Sequence, residues 1–338
     1  MAKSLLELVN LKTYFHVSKH RIVKAVDGVS LSIYDDEIVA LVGESGSGKS
    51  MTSMSIMGLV DPPGEVTGEI RLNGENLLKL KEKKLDKIRG DQMAMIFQEP
   101  MTSLNPVFTI GNQLIEAIRK HKKVTKKEAK KQAVELLRLV GFSRAEESLK
   151  EFPHQLSGGM RQRVMIAMAM SCNPKLLIAD EPTTALDVTI QQQILDLMLK
   201  VKSEFQSSIL LITHDLGVVA ETANRVLVMY GGQIVEEAPA FDLFTNPLHP
   251  YTKGLLRSMP KMEDNKDRLE AISGTVPLAH NFPKGCRFAA RCKFATDACA
   301  DKMPELVQAN DNRKVRCLLY EEGSTTADRN RITEGKGL

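Results

Sequence analysis

The chain has no uninterrupted apolar stretch approaching the ~18–20 residues that a membrane-crossing helix needs, so no span is expected. Nor is a secretory leader expected, because Met-Ala-Lys-Ser-Leu-Leu-Glu-Leu-Val-Asn places polar and acidic residues too early for one. Together these absences lead to the expectation of a cytosolic protein, which can still dock on a membrane partner. Excess charge is absent too. With 46 basic and 42 acidic residues the net charge is +4, too little to imply nucleic acid by itself. No internal repeat is found. Cysteine is scarce: of five, four lie between 286 and 317, and a disulfide framework is not expected in a reducing compartment. A hydrophobic fraction of 43% over 338 residues still allows a substantial core. That length suggests roughly two domains, or one large domain with an appendage.

The most informative stretch is Gly43-Glu44-Ser45-Gly46-Ser47-Gly48-Lys49-Ser50, which fits G-x-x-x-x-G-K-[ST]. An apolar, β-branched run (37–42) precedes it and a helix-compatible run (50–58) follows. In that strand–loop–helix setting, glycines let backbone N–H groups turn inward around a β-phosphate, and the helix start adds partial positive charge. Lys49 is suited to the β- and γ-phosphates and Ser50 to Mg²⁺. The bland alternative, a glycine-rich turn with no ligand, does not explain Lys49-Ser50.

Residues 5–11 and 29–33 alternate as strands of a small antiparallel layer, with Tyr14 and Phe15 between them. Strands are also expected at 69–72 and 93–97. From about 100 to 172 the texture is helical, with apolar residues at helical spacing over 111–121 and 126–140 and Gly141 as a stop. The basic cluster from Arg119 to Lys131 reads best as a solvated helix face, with a nucleic-acid or lipid-headgroup patch as the alternative. Beyond it, strands at 176–179, 209–213 and near 225–237 alternate with helices at 160–171, 188–204 and from 215. That alternation implies a mainly parallel sheet covered on both faces. After about 238 prolines punctuate the chain, and the last residues read as a frayed tail.

Four polar residues fall at predicted strand ends: Gln98, Asp180, Glu181 and His214. The carboxyl ends of strands form the ligand edge of a doubly wound sheet. Asp180 is suited to holding Mg²⁺ and Glu181 to polarising an attacking water. His214 would reach a γ-phosphate, and Gln98 would sense metal and water. Phosphoryl transfer needs this kind of help: positioning, a metal and an oriented nucleophile. Singly, each has a bland reading as a cap or a loop residue; as a set they point to nucleotide chemistry.

Leu-Ser-Gly-Gly at 156–159, Leu-Leu-Ile-Ala-Asp-Glu at 176–181, Thr-Ala-Leu-Asp at 184–187 and His214 resemble the signature, second nucleotide motif, D-loop and switch histidine of ABC-transporter ATPases. The resemblance covers roughly 5–258. It implies an α/β fold: a RecA-like P-loop ATPase core with an antiparallel β layer and a helical subdomain inserted at about 100–172. It also implies two such domains sandwiching two ATP molecules, each between one subunit's phosphate loop and the other's Ser157-Gly158-Gly159. The nucleotide-binding set carried over is Phe15 (favoured over Tyr14 for stacking on adenine), Gly43, Ser45, Gly46, Ser47, Gly48, Lys49, Ser50, Met51, Ser157, Gly158, Gly159 and Asp187. Catalysis falls to Glu181, His214 and Gln98, and Mg²⁺ to Ser50, Gln98 and Asp180. Met160 and Thr184 depart from the usual Gln and Ser of these motifs without putting hydrolysis in doubt.

Glu99-Pro100-Met101-Thr102-Ser103-Leu104-Asn105-Pro106, Met160-Arg161-Gln162-Arg163 and Pro247-Leu248-His249-Pro250-Tyr251 narrow the resemblance to the oligopeptide/dipeptide importer branch. This implies an ATPase domain over 1–258, a small irregular cysteine-rich C-terminal extension over 259–320, and a tail over 321–338. The implied partners are a second ATPase subunit (a paralogue rather than a copy), two transmembrane permeases and, indirectly, an extracytoplasmic peptide-binding protein, at the cytoplasmic face of the membrane. No nucleic-acid partner is expected.

Cys286, Cys292, Cys299 and Cys317 match no C-x2-C zinc pattern. Four thiolates within 32 residues suit an iron–sulfur cluster or an all-thiolate zinc site, and free thiols remain a third option. The resemblance favours a [4Fe–4S] cluster, with Arg287, Arg291 and Lys293 offsetting its charge. Competing functions are a nickel or other-solute transporter ATPase, a soluble ABC ATPase on nucleic acid or ribosomes, and a redox module. A single cassette without a heptad insert argues against the soluble ATPase.

Overall fold

The structure, a computed structural model, describes residues 3–18, 21–98, 103–184, 187–259, 272–310 and 312–321. It opens with two long strands, β1 (Ser4–Ser18) and β2 (Arg21–Tyr34). Tyr14 and Phe15 therefore lie inside β1 and not between two strands as expected. The alternation had been obscured by a polar residue facing inward: Thr13 is fully buried and its hydroxyl is 2.7 Å from that of Ser55. β3 (Ile38–Val42) is buried at all five positions and runs into the phosphate loop and α1 (Lys49–Met57), which stops at Gly58 in the left-handed region. β4 (Gly64–Leu72), β5 (Glu75–Asn76), α2 (Glu82–Ile88) and β6 (Met93–Ile96) follow.

Next come the helices α3 (Ile110–His121), α4 (Lys126–Leu139), α5 (Ala145–Ser148) and α6 (Gly158–Ala169). β7 (Leu176–Asp180), α7 (Val188–Phe205), β8 (Ser208–Ile212) and α8 (Leu216–Thr222) restore the α/β alternation. β9 (Arg225–Tyr230), β10 (Gln233–Pro239), α9 (Ala240–Thr245), α10 (Pro250–Arg257), α11 (Asp297–Asp301), β11 (Val307–Asn310) and β12 (Arg313–Val315) complete the chain.

Two compact units are formed. One comprises Met1–Leu6, Ile33–Ile38 and Leu72–Ile212. Its strands β6, β7 and β8 pair in parallel, with Ile96 opposite Ala179 and Asp180 opposite Ile212. Its helices α3 to α6 are cut by local signals. Thr109 caps α3 by accepting the Asn112 N–H, and Thr125 and Glu128 form a reciprocal capping box on α4. Ile110, Leu114 and Ile118 bury one face of α3 at spacing four. Arg119 and Lys120 lie in the last turn of that helix, where cations are stabilised by its dipole.

The other unit comprises Glu7–Ser32, Val39–Arg71 and Thr213–Leu338. Here β3 and β9 are parallel, but β10 is antiparallel to β9, β12 to β10 and β11 to β12. The expectation of a mainly parallel sheet thus gives way to a mixed one. Gly231 and Gly232, both at positive φ, turn β9 straight back into β10. The cysteine-bearing segment is also less irregular than expected, since β12 pairs Val315 with Glu236 of β10 and extends the sheet.

Candidate functional site

The phosphate loop is shaped by its glycines. Gly43, Gly46 and Gly48 have φ of 152°, 77° and 105°, a region that side chains disfavour. A Cβ on Gly43 would lie 2.2 Å from the Met229 carbonyl oxygen, and one on Gly48 2.4 Å from that of Ala25. At Gly46 nothing lies within 4 Å, so this side of the loop is open. The turn after β9 closes the other side, where the Gly232 N–H donates to the Ser47 carbonyl at 2.8 Å. Lys49 is 5% exposed, and its Nζ donates back to the carbonyls of Gly43 (2.8 Å) and Glu44 (3.1 Å). Ser47 Oγ is buried without a hydrogen-bond partner among the described residues. Gly48 offers α1 no side-chain cap, and no acidic residue occupies the helix's first turn. An uncapped helix start, an ammonium and an orphaned hydroxyl together suit a phosphate chain.

Within the same unit, Tyr14 donates its hydroxyl to Asp27, which also pairs with Arg287. Phe15 is half-buried, with Cε1 2.8 Å from where a Cβ on Gly64 would sit. His214 is exposed, two residues past the end of β8. Met51 lies in the first turns of α1 and is half-buried.

In the other unit the second nucleotide motif sits where the strand pattern put it. Asp180 ends β7 and is 3% exposed. Glu181, the next residue, adopts φ 47°, unusual for a side chain other than Gly or Asn. The strain is held by the bond from its N–H to the Ile212 carbonyl at 2.8 Å. Gln98 Nε2 donates to Glu181 Oε2 at 2.9 Å, and Thr184 Oγ1 donates to the same oxygen at 2.9 Å. Two residues singled out separately, Gln98 and Glu181, are thereby brought together across 83 positions. Thr184 was noticed only as a departure from a motif; its contact with Glu181 had no separate signal.

The signature segment begins α6. Ser157 caps it by accepting the Met160 N–H at 3.3 Å, and Ser157 and Gly158 are exposed. Gln162 Nε2 donates to the Pro182 carbonyl at 2.6 Å, which ties α6 to the turn after Glu181. Arg161 Nε bonds the carbonyls of Pro153 (2.8 Å) and Leu156 (3.1 Å) and so sets the approach to Ser157. Asp187 caps α7 through the Ile190 N–H at 2.9 Å. Ala185 and Leu186 of the D-loop, Glu99 to Thr102 of the 99–106 stretch and most of the 321–338 tail lie outside the described residues.

The four C-terminal cysteines are free and line one small cavity of about 20 Å³, beside His249 and Phe288. Burial pushes the Cys292 thiol up to about 11 and Cys317 up to about 12, and raises Cys286 as well. These are protonated thiols at neutral pH. Among the described residues no group of three or more His, Cys, Asp or Glu is placed to hold a metal ion. The expected [4Fe–4S] cluster is therefore not supported. Nor do the nearby arginines serve to offset its charge: Arg287 pairs with Asp27, and Arg291 pairs with Glu44 of the phosphate loop at 2.7 Å. Tyr251 and Arg291, both bonded to Glu44, are contacts that sequence reasoning missed.

A phosphate loop between a buried strand and an uncapped helix defines a nucleotide-binding α/β protein of the P-loop class. The family model for "ABC transporter" matches residues 26–184, and the model for "Oligopeptide/dipeptide transporter, C-terminal region" matches 235–299. The oligopeptide transport ATP-binding protein AppD of Bacillus subtilis is 60% identical over 94% of this chain and 98% of its own length. The dipeptide transport ATP-binding protein DppD of Haemophilus influenzae is 50% identical over 95% and 98%. A solved dimeric bacterial ABC transporter cassette, MJ0796, matches with a TM-score of 0.62 and 30% identity, covering 70% of this chain and 98% of that one. The chain belongs to the ABC transporter family, in its oligopeptide/dipeptide branch, and is an ABC-type ATPase. Among the described residues no helix is long and apolar enough to cross a membrane.

Proposed function

We propose that this chain is the ATP-hydrolysing subunit of a peptide importer, working from the cytoplasmic face of the membrane. The observation that carries this reading is similarity to peptide-transport ATP-binding proteins over 94% of the chain. Lys49, Ser47 and the loop N–H groups hold the phosphates of ATP. Ser50, Asp180 and Gln98 hold Mg²⁺, which neutralises phosphate charge when bound. Glu181, kept in one orientation by Gln98 and Thr184, accepts a proton from the attacking water, and His214 supports the γ-phosphate. Phe15 stacks on adenine. The exposed Ser157 and Gly158, with Gly159 and Asp187, act on the ATP of a second ATPase subunit, a paralogue. Closure and reopening of that pair drives two permeases, fed by a peptide-binding protein on the far side. In this reading the ATPase portion extends to about 258, with its helical insert at 100–172, and 259–320 forms an extension specific to the peptide branch.

Substituting Glu181→Gln keeps the hydrogen bonds of the site but removes the base. ATP binding should persist while turnover falls by roughly 100-fold or more, the usual contribution of a positioned base. Single-turnover hydrolysis near the wild-type rate would remove Glu181 from that role.

A further inference from the structure

Glu44 occupies the first variable position of the phosphate loop, where phosphate binding makes no demand on the side chain. A carboxylate there is a liability, since it adds negative charge to a loop that must accept a polyanion. The structure answers it with a two-pronged ion pair from the C-terminal segment. Arg291 Nη1 donates to Glu44 Oε2 at 2.7 Å and Nη2 to Oε1 at 3.0 Å. Such fork-to-fork pairing fixes orientation as well as charge. Arg291 is itself held: its side chain is 5% exposed, Nε donates to the Ser273 carbonyl at 2.9 Å, and the guanidinium lies 5.7 Å from the ring centre of Tyr230. The backbone of the same residue is pinned too, because the Glu44 N–H donates to the Tyr251 hydroxyl at 2.8 Å. Tyr251 is fully buried and packs edge-on against Tyr230, 4.6 Å between centroids.

What is gripped matters for the loop. The Glu44 carbonyl accepts the Ser47 N–H at 3.2 Å and Lys49 Nζ at 3.1 Å. Moving Glu44 therefore moves the acceptor that the phosphate-binding ammonium uses. We infer that Arg291, with Tyr251, is a positioning residue for nucleotide binding: it cancels the Glu44 charge and presets the loop, which makes the C-terminal segment a working part of the nucleotide site. This rests on the reading that residues 43–50 hold the phosphates of ATP.

The test is equilibrium binding of a fluorescent ATP analogue, with steady-state ATPase kinetics, for the full chain and four variants. Arg291→Ala should weaken binding about 10-fold and raise KM while leaving kcat within about twofold, as loss of ground-state binding does. Adding Glu44→Gln to Arg291→Ala should restore most of the affinity, because it removes the uncompensated carboxylate. A purely structural role for Arg291 would not be rescued in this way. Glu44→Gln alone should bind as tightly as wild type or tighter, which keeps the inference testable if Arg291→Ala does not fold. Unchanged binding in Arg291→Ala, no rescue in the double variant, or a 10-fold loss in Glu44→Gln would each overturn the inference. Lys49→Ala separates the two levels. If it binds as wild type, the function reading fails and this inference with it. If it loses binding while Arg291→Ala does not, the inference alone fails.

Discussion

The phosphate loop and the thiol cavity belong to one compact unit and share a wall of aromatic side chains, yet they are built in opposite ways. The loop is eight consecutive residues whose polar groups are mainly backbone, shaped by three glycines at positive φ and left open at Gly46. The cavity gathers side chains from positions 286 to 317, and burial raises the thiols of Cys286, Cys292 and Cys317. Phe288 links them, lining the cavity while packing on Tyr230 and Tyr251 at 5.2 and 5.4 Å. The difference shows how charge is managed on either side of one wall. On the loop side the Glu44 charge is paired off and the Lys49 ammonium is kept for a ligand; on the cavity side charge is either absent or locked in buried pairs.

The largest effect should come from unlocking such a pair. Glu236 is fully buried and accepts the Leu248 and His249 N–H groups, both at 2.8 Å, and Arg313 at 3.1 Å. Arg313→Ala leaves that carboxylate buried without its cation, which costs about 3–5 kcal/mol in comparable sites. Urea unfolding measures it. A loss below about 1 kcal/mol, the size of a surface pair, would mean that the cavity side is wetter than its burial indicates, and the contrast with the loop would weaken.

The same contrast governs what was legible beforehand. The phosphate loop, the strand ahead of it and Asp180-Glu181 at a strand end could all be read because their chemistry lies in short contiguous motifs with one periodicity around them, whereas the bond between Gln98 and Glu181 spans 83 positions. β1 was read short because a buried Thr13–Ser55 hydrogen bond broke its apolar alternation. The antiparallel half of the sheet was missed because β12 pairs across 77 residues, from Lys314 to Glu237, and three-residue strands carry no pattern of their own. Arg291 was noticed for its charge but assigned to the wrong partner. Nothing local tells which of several nearby anions an arginine will meet; that depends on how the chain returns to the loop.

A medium effect should appear on acidification. His249 is buried, and Nδ1 accepts the Tyr251 N–H at 3.0 Å, capping the helix that carries Tyr251. Burial, with the nearby Arg316 charge, holds the imidazole down to about 3 even though its ring also bonds the Arg316 backbone. In the unfolded chain it titrates near 6.5. Above that pH both states are neutral and the contribution is complete. Below it the unfolded state takes up a proton that the folded state refuses. Stability should therefore fall between pH 6.5 and 3, by up to about 1.4 kcal/mol per pH unit. His249→Asn keeps an acceptor at the cap and removes the titration, so its urea midpoint should depend less on pH between 7 and 4. Identical slopes in the two proteins would show that the ring is not held neutral.

The smallest effect lies on the loop side and sharpens the comparison there. Gly46 and Gly48 share positive φ but not surroundings. Gly46→Ala pays only the left-handed backbone penalty, about 1–2 kcal/mol, since nothing stands within 4 Å of its Cβ. Gly48→Ala adds a contact of 2.4 Å with the Ala25 carbonyl oxygen and 2.8 Å with Met229 Cε, so β2 or the end of β9 must shift. Thermal unfolding without nucleotide should rank Gly48→Ala well below Gly46→Ala. Nucleotide affinity should fall in both, for different reasons: a methyl group in the open cradle of Gly46, a displaced backbone at Gly48. Equal stabilities would mean that the loop is not braced against β2 and β9, and that its shape is set by the glycines alone.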